Sequence, residues 1–155
     1  MSVTIRQARE ADLPTILRLY AQPDIDDGAV LSVEEARRVF RRFNVYPDYR
    51  LFVAEHQGEI VGSYALLIMD NLGHLGAPSA VVEDVVVSAE HQSHGIGRRM
   101  MHFALDRARD AGCYKLTLSS NVARERAHKF YGSLGFTRHG YSFRMDIPQD
   151  QGQAA

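Results

Sequence analysis

The residues best equipped for chemistry lie in one short stretch. Val82-Glu83-Asp84-Val85-Val86-Val87 is followed by a short polar loop and then by Gln92-Ser93-His94-Gly95-Ile96-Gly97-Arg98-Arg99. The valines read as a strand, the glycines as a loop, and the apolar spacing from Ile96 onward as a helix. A strand that passes through a glycine loop into a helix gathers unpaired backbone N–H groups at the positive end of a helix dipole. Such a place holds a phosphate or pyrophosphate. Glycine at 95 and 97 removes the Cβ that would keep an anion off the backbone, and Arg98 and Arg99 add charge at the rim. A bare G-x-G also serves simply to start a helix, so the flanking residues decide which phosphate ligand is meant. A P-loop needs a lysine followed by serine or threonine, where this chain has Arg98-Arg99. A dinucleotide fingerprint needs a third glycine or alanine where Met100 stands. Both are excluded.

The elements that must position this stretch are legible on either side of it. Val3 to Ala8 alternates apolar and polar, as a half-buried strand does. Asp12 stands at the cap position of a helix carrying Pro14 in its first turn and Leu13, Ile16, Leu17 and Tyr20 on one face. Gln22 to Val30 reads as a loop. Ser32 and Glu35 have capping-box spacing ahead of a second helix that ends before Pro47. Leu51 to Ala54 and Ile60 to Met69 are apolar strands joined by a turn at 56–59. After a loop at 70–78 comes the valine strand of residues 80–87. The following helix sets Ile96, Met100, Met101, Ala104, Leu105, Ala108 and Ala111 inward and closes at Gly112. Tyr114 to Ser119 is a further strand, Arg124 to Leu134 a helix ended by Gly135, and Phe136 to Ile147 two short strands. The order predicts one α/β (α+β) domain over 1–148, with a mixed central sheet of six to seven strands flanked by about four helices. A short polar tail occupies 149–155.

Bulk composition narrows the class. The chain has 155 residues, 45% of them hydrophobic and 24% charged, which suits one globular domain. A net charge of −1 gives no electrostatic footing for binding nucleic acid. The cluster Arg37, Arg38, Arg41 and Arg42 reads as a solvated helix face, or else as the rim of a site for an anionic substrate. Neither a secretory leader nor a membrane span is legible. The single cysteine, Cys113, fits a reducing, cytoplasmic setting and a small buried residue. The seven histidines form no metal-ligand pattern; His91 and His94, three apart, fall inside the phosphate loop.

Gln92-x-x-Gly95-x-Gly97, after a strand and at a helix start, resembles the Q/R-x-x-G-x-G/A pattern of the GNAT acetyltransferases. Downstream, Ala127-His128-Lys129-Phe130-Tyr131-Gly132-Ser133-Leu134-Gly135-Phe136 looks like the A-x-x-F-Y-x-x-x-G-F signature of the same superfamily. The two elements stand in the expected order, with one helix and one strand between them. The resemblance covers residues 3 to 147, tightly from 80 to 140. Leu118 to Val122, the segment around Tyr131, and Tyr141 to Arg144 look most like aminoalkylphosphonate N-acetyltransferases. Glu83 to Val87 with Gly112 to Lys115 is similar to glucosamine-phosphate N-acetyltransferases.

The resemblance implies an N-acetyltransferase that moves acetyl from acetyl-CoA onto a primary amine by direct attack, without an acyl-enzyme. Its acceptor is expected to be a small molecule with an anionic group. A protein or peptide acetyltransferase, and a non-catalytic acetyl-CoA sensor, are the alternatives. An amine attacks a thioester only in its neutral form, and Glu83, at the mouth of the implied cleft, is the candidate base; Asp84 falls on the opposite face by strand alternation. A backbone N–H within Val85, Val86 and Val87 is the expected oxyanion donor, and the same stretch pairs with the pantetheine amides as with an added strand. Gln92, Ser93, His94, Gly95, Ile96, Gly97 and Arg98 hold the pyrophosphate, Asn121 meets the pantetheine arm, and Tyr131 protonates the departing thiolate. No metal is expected, and the state is monomer or homodimer.

Overall fold

Four antiparallel strands are laid down in chain order, and a fifth is added parallel to the last of them. In the computed structural model, which describes residues 1–149, these are β1 (Thr4–Gln7), β2 (Tyr49–His56), β3 (Glu59–Met69), β4 (Ser79–Val87) and β5 (Leu116–Leu118). They form one sheet in the order β1-β2-β3-β4-β5, with β4 and β5 parallel. The β2–β3 turn places Gln57 and Gly58 at φ 50° and 82°, the left-handed pair that a two-residue hairpin requires. Four α-helices accompany the sheet: α1 (Leu13–Tyr20), α2 (Val33–Arg42), α3 (Ile96–Asp110) and α4 (Glu125–Ser133).

Local chemistry accounts for most element boundaries. Ser32 Oγ accepts from Glu35 N at 3.2 Å while Glu35 Oε2 accepts from Ser32 N at 3.0 Å, the reciprocal box that starts α2. Asp12 behaves differently from the expected cap. Its carboxylate accepts from Arg6 at 2.8 and 3.0 Å and from Arg9 N at 2.8 Å. The cation on β1 outcompetes the uncharged amides of α1. On α3, Ile96, Met100, Met101, Ala104 and Ala108 are buried, but Leu105 is 41% exposed, since the buried stripe is narrower than the apolar spacing suggests.

The described residues divide into two compact units, Met1–Leu118 and the segment that begins at Ser119. In the first, Leu13, Ile16, Ala36, Leu51, Val53 and Ala65 form a core between α1, α2 and one sheet face. Phe52, Tyr64 and Phe103 meet on the α3 face, Phe52 and Tyr64 stacked at 5.3 Å. In the second, Gly135 at φ 94° ends the α4 segment. The two strands expected across 136–147 are absent among the described residues, so the sheet has five strands in place of six to seven. Tyr141, Phe143, Met145 and Ile147 alternate as a strand would, yet each is at least 77% exposed; alternation makes a strand only where a partner edge covers it. The expected tail lies, from residue 150, outside the described residues. Among the described residues, no helix is long and apolar enough to cross a membrane.

Candidate active site

The geometry of β4 follows from one inserted residue. Ser63 pairs with Val86 and Ala65 with Glu83, so Asp84 and Val85 together oppose Tyr64. Asp84 takes φ 53°, a left-handed conformation that aspartate adopts more readily than a β-branched residue. This bulge bends the strand and cancels its alternation. Glu83, opposite Ala65, points to the face that carries α1 and α2. Asp84 lies close enough to Tyr20 and Tyr49 for its charge to add to the burial that raises both hydroxyls. Asp84 therefore belongs with Glu83 on the same side, and the opposite-face reading is corrected. Both carboxyls reach solvent, but the protein around them strips enough water to raise their pKa; Asp84 adds to the effect on Glu83, and Asp26 to that on Asp84.

Which backbone groups of β4 remain for a ligand can be worked out from the ladder. Ser88 N donates to Val61 O at 2.8 Å, and the register is unbroken from there to the Ser63–Val86 pair. Bonded pairs alternate in an antiparallel ladder, so Val86 directs both its N–H and its C=O to β3. The trans peptides on either side then direct Val85 C=O and Val87 N–H away from β3. Among the described residues, β5 pairs with β4 only at Ala80, Val81 and Val82, so the ladder leaves that side of Val85 to Val87 unpaired. Val87 C=O points the same way and accepts from Gln22 Nε2 at 3.2 Å and Gln92 Nε2 at 3.4 Å.

The strand leaves into the glycine turn. His91 N donates to Ser88 O at 2.9 Å, and His94 Nδ1 lies 2.9 Å from Gln92 O. Ser93 and Gly95 take φ 65° and 80°, so the backbone folds back on itself ahead of α3, as it does in anion-binding turns. Gly95 caps α3, whose first-turn amides at Ile96 and Gly97 have no acceptor four residues back. No atom lies within 4 Å of a Cβ built on Gly95. Gln92, Ser93, His94 and Arg98 are exposed. The Ile96 side chain is 1% exposed in the core and offers the turn its backbone alone.

The second unit holds the other two candidates. Tyr131 is half-buried on α4 between Phe130 and Phe136, with ring centroids 5.2 and 5.8 Å away. Burial raises its hydroxyl pKa, and Arg124 partly offsets the rise. Asn121 closes a turn, its Oδ1 accepting from Ala123 N at 2.9 Å and its C=O contacting His128 Nε2 at 2.8 Å; Nδ2 is the group it can offer a ligand. Among the described residues, no three His, Cys, Asp or Glu side chains are grouped to hold a metal ion.

Two neighbours of the β4 exit have no sequence motif. Tyr20 reaches it from α1, and Gln22 from the following loop. Asp84 did carry a signal, since two adjacent acids inside a valine strand cannot both obey a period of two.

A family model for the acetyltransferase (GNAT) family matches residues 6–136. The chain belongs to the GNAT acetyltransferase family. Its relatives include proteins named as N-acetyltransferases, and this GNAT chain is an acetyl-transferring enzyme. It is 28% identical over 151 residues to a glucosamine 6-phosphate N-acetyltransferase of Trypanosoma brucei brucei, covering 95% of this chain and 97% of that one. It is 29% identical over 97 residues to an aminoalkylphosphonate N-acetyltransferase of Salmonella typhimurium, covering 63% and 62%. A putative acetyltransferase from Agrobacterium tumefaciens superposes with TM-score 0.85 at 32% identity, covering 93% and 99%. GNAT enzymes use acetyl-CoA as donor.

Proposed function

We propose that this chain transfers acetyl from acetyl-CoA directly to the primary amine of a small molecule bearing an anionic group. The observation that carries the reading is the exit of β4, where an open strand edge with outward Val85 C=O and Val87 N–H runs straight into the Gly95 turn. The amides of that turn and of the α3 start, with Gln92, Ser93, His94 and Arg98 around them, hold the diphosphate. Val85 and Val87 pair with the amides of the pantetheine arm; Val86, turned into the ladder, does not. Val85 N–H, within the bulge, donates to the oxygen that becomes negative during attack. Glu83 takes the ammonium proton, directly or through water, and its raised pKa brings it nearer to neutrality, where a base is most effective. Tyr131 gives its proton to the departing thiolate, and Asn121 Nδ2 bonds the arm.

The test is acetyl-CoA turnover against a panel of primary amines. Amino sugars and aminoalkyl compounds carrying phosphate or phosphonate are expected to outperform their uncharged analogues. Tyr131→Phe is expected to lower kcat at least about tenfold; full activity in that variant removes Tyr131 from the reaction. Asp26, Glu83 and Asp84 favour a second reading, in which the acceptor carries an additional positive charge. Higher kcat/KM for diamines than for phosphorylated amines selects it.

A further inference from the structure

Gln22 has no part in the family motifs, yet its side chain makes the two most informative contacts at the β4 exit. Its Oε1 accepts from Ala89 N at 2.7 Å, and its Nε2 donates to Val87 O at 3.2 Å. One carboxamide thus bonds the C=O of one residue and the N–H of the residue two further on. That is the pattern in which one residue of a parallel added strand, through its own N–H and C=O, pairs with an edge. The same pattern occurs one step earlier as Val85 C=O with Val87 N–H, which Gln22 leaves uncovered. Gln22 is itself held in place: its N–H donates to Leu19 O at 3.3 Å, and its C=O accepts from Ile25 N at 3.0 Å and Asp27 N at 3.2 Å.

We propose that Gln22 is a positioning residue that fixes the register of the coenzyme arm on β4. Its carboxamide occupies the Val87–Ala89 step as a surrogate strand, so an amide-bearing arm can dock only at the Val85–Val87 step. Docking one step later would slide the arm by two residues, about 7 Å, away from the bulge and from Glu83. The inference rests on the acetyl-CoA reading above and adds a residue to it.

A register stop has a kinetic signature that loss of structure lacks. Without the stop, the arm also docks in the unproductive register. The added binding mode tightens total binding while lowering the productive fraction, so kcat and KM for acetyl-CoA fall together and kcat/KM stays unchanged. Gln22→Ala removes the plug, and Gln22→Met keeps its bulk while removing both hydrogen bonds. Both are expected to lower kcat at least about threefold, to lower KM by the same factor, and to tighten CoA binding in calorimetry. Full kcat in both variants, or a fall in kcat/KM with weaker CoA binding, overturns the inference and leaves the transferase reading standing. A wild-type chain that neither binds CoA nor turns over acetyl-CoA overturns the reading and the inference with it.

Discussion

Gly62 on β3 is the position at which adding one methyl group tests the joint between α3 and the bulged strand. A Cβ there would lie 3.0 Å from Met100 Sδ, 3.1 Å from Val86 O and 3.4 Å from Ile96 Cγ2. The thioether can swing aside only into a full core, since Met100 is itself 0% exposed. The carbonyl cannot move alone, because it belongs to a ladder residue. Gly62→Ala therefore displaces β4 or the start of α3 by a few tenths of an ångström. Overpacking of this kind costs about 2 kcal/mol, which lowers Tm by about 6 °C in a chain of this length. The same displacement reaches Val85 and Val87 through Val86, so the KM for acetyl-CoA is expected to rise as well. Calorimetric unfolding reads the first effect and steady-state kinetics the second. Gly58→Asn is the control: its φ of 82° suits asparagine and nothing lies within 4 Å of the added Cβ, so Tm should stay within about 1 °C. Equal Tm for Gly62→Ala and wild type would refute the described seating of α3 on β3 and β4.

Two further predictions concern the site itself. Gly95→Val forces a β-branched residue to φ 80° and puts its methyl groups at the turn proposed to hold the diphosphate. Its CoA affinity is expected to drop at least about tenfold, or 1.4 kcal/mol, with stability reduced by about 1–2 kcal/mol; unchanged affinity in a folded variant would remove the turn from the coenzyme site. Glu83 has its pKa raised by burial and then by Asp84, so its active, ionised form is lost on acidification at a higher pH than for an ordinary carboxylate. Glu83→Gln should depress turnover most above that pKa, where the wild-type carboxylate is ionised, and flatten the acid limb of kcat/KM, and Asp84→Asn, by removing a repelling charge, should move that limb to lower pH. A limb that stays in place in both variants excludes Glu83 as the base.

The elements of the first unit were legible because their signals are local. The Ser32–Glu35 box, the Gln57-Gly58 turn and the Gly95 and Gly112 boundaries each rest on chemistry within a few residues. What escaped the sequence depends on partners far along the chain. The face of Asp84 is set by the register of β3 against β4, which no run of valines reveals. Gln22 acquires its contacts with β4 only because a strand more than sixty residues later ends beside it. The apolar alternation from Tyr141 to Ile147 promised a strand, but pairing is a property of two segments, and one segment's pattern does not supply the other. That Val86 turns into the ladder while Val85 C=O and Val87 N–H face away from it likewise needed the Ser88–Val61 bond to set the phase.

The short reach of β5 has a consequence for solubility. Beyond Val82, β4 is an interior strand that becomes a border strand without changing its sequence character, since Val85, Val86 and Val87 are as β-prone as any residues of the sheet's middle. A stretch of this kind invites another chain's backbone to zip onto it. Two adjacent acids and a kink at its start, with a glutamine side chain plugging its end, are the deterrents proteins set along such borders. Neutralising Glu83 and Asp84 together would thus strip protection from that border as well as the base proposed there.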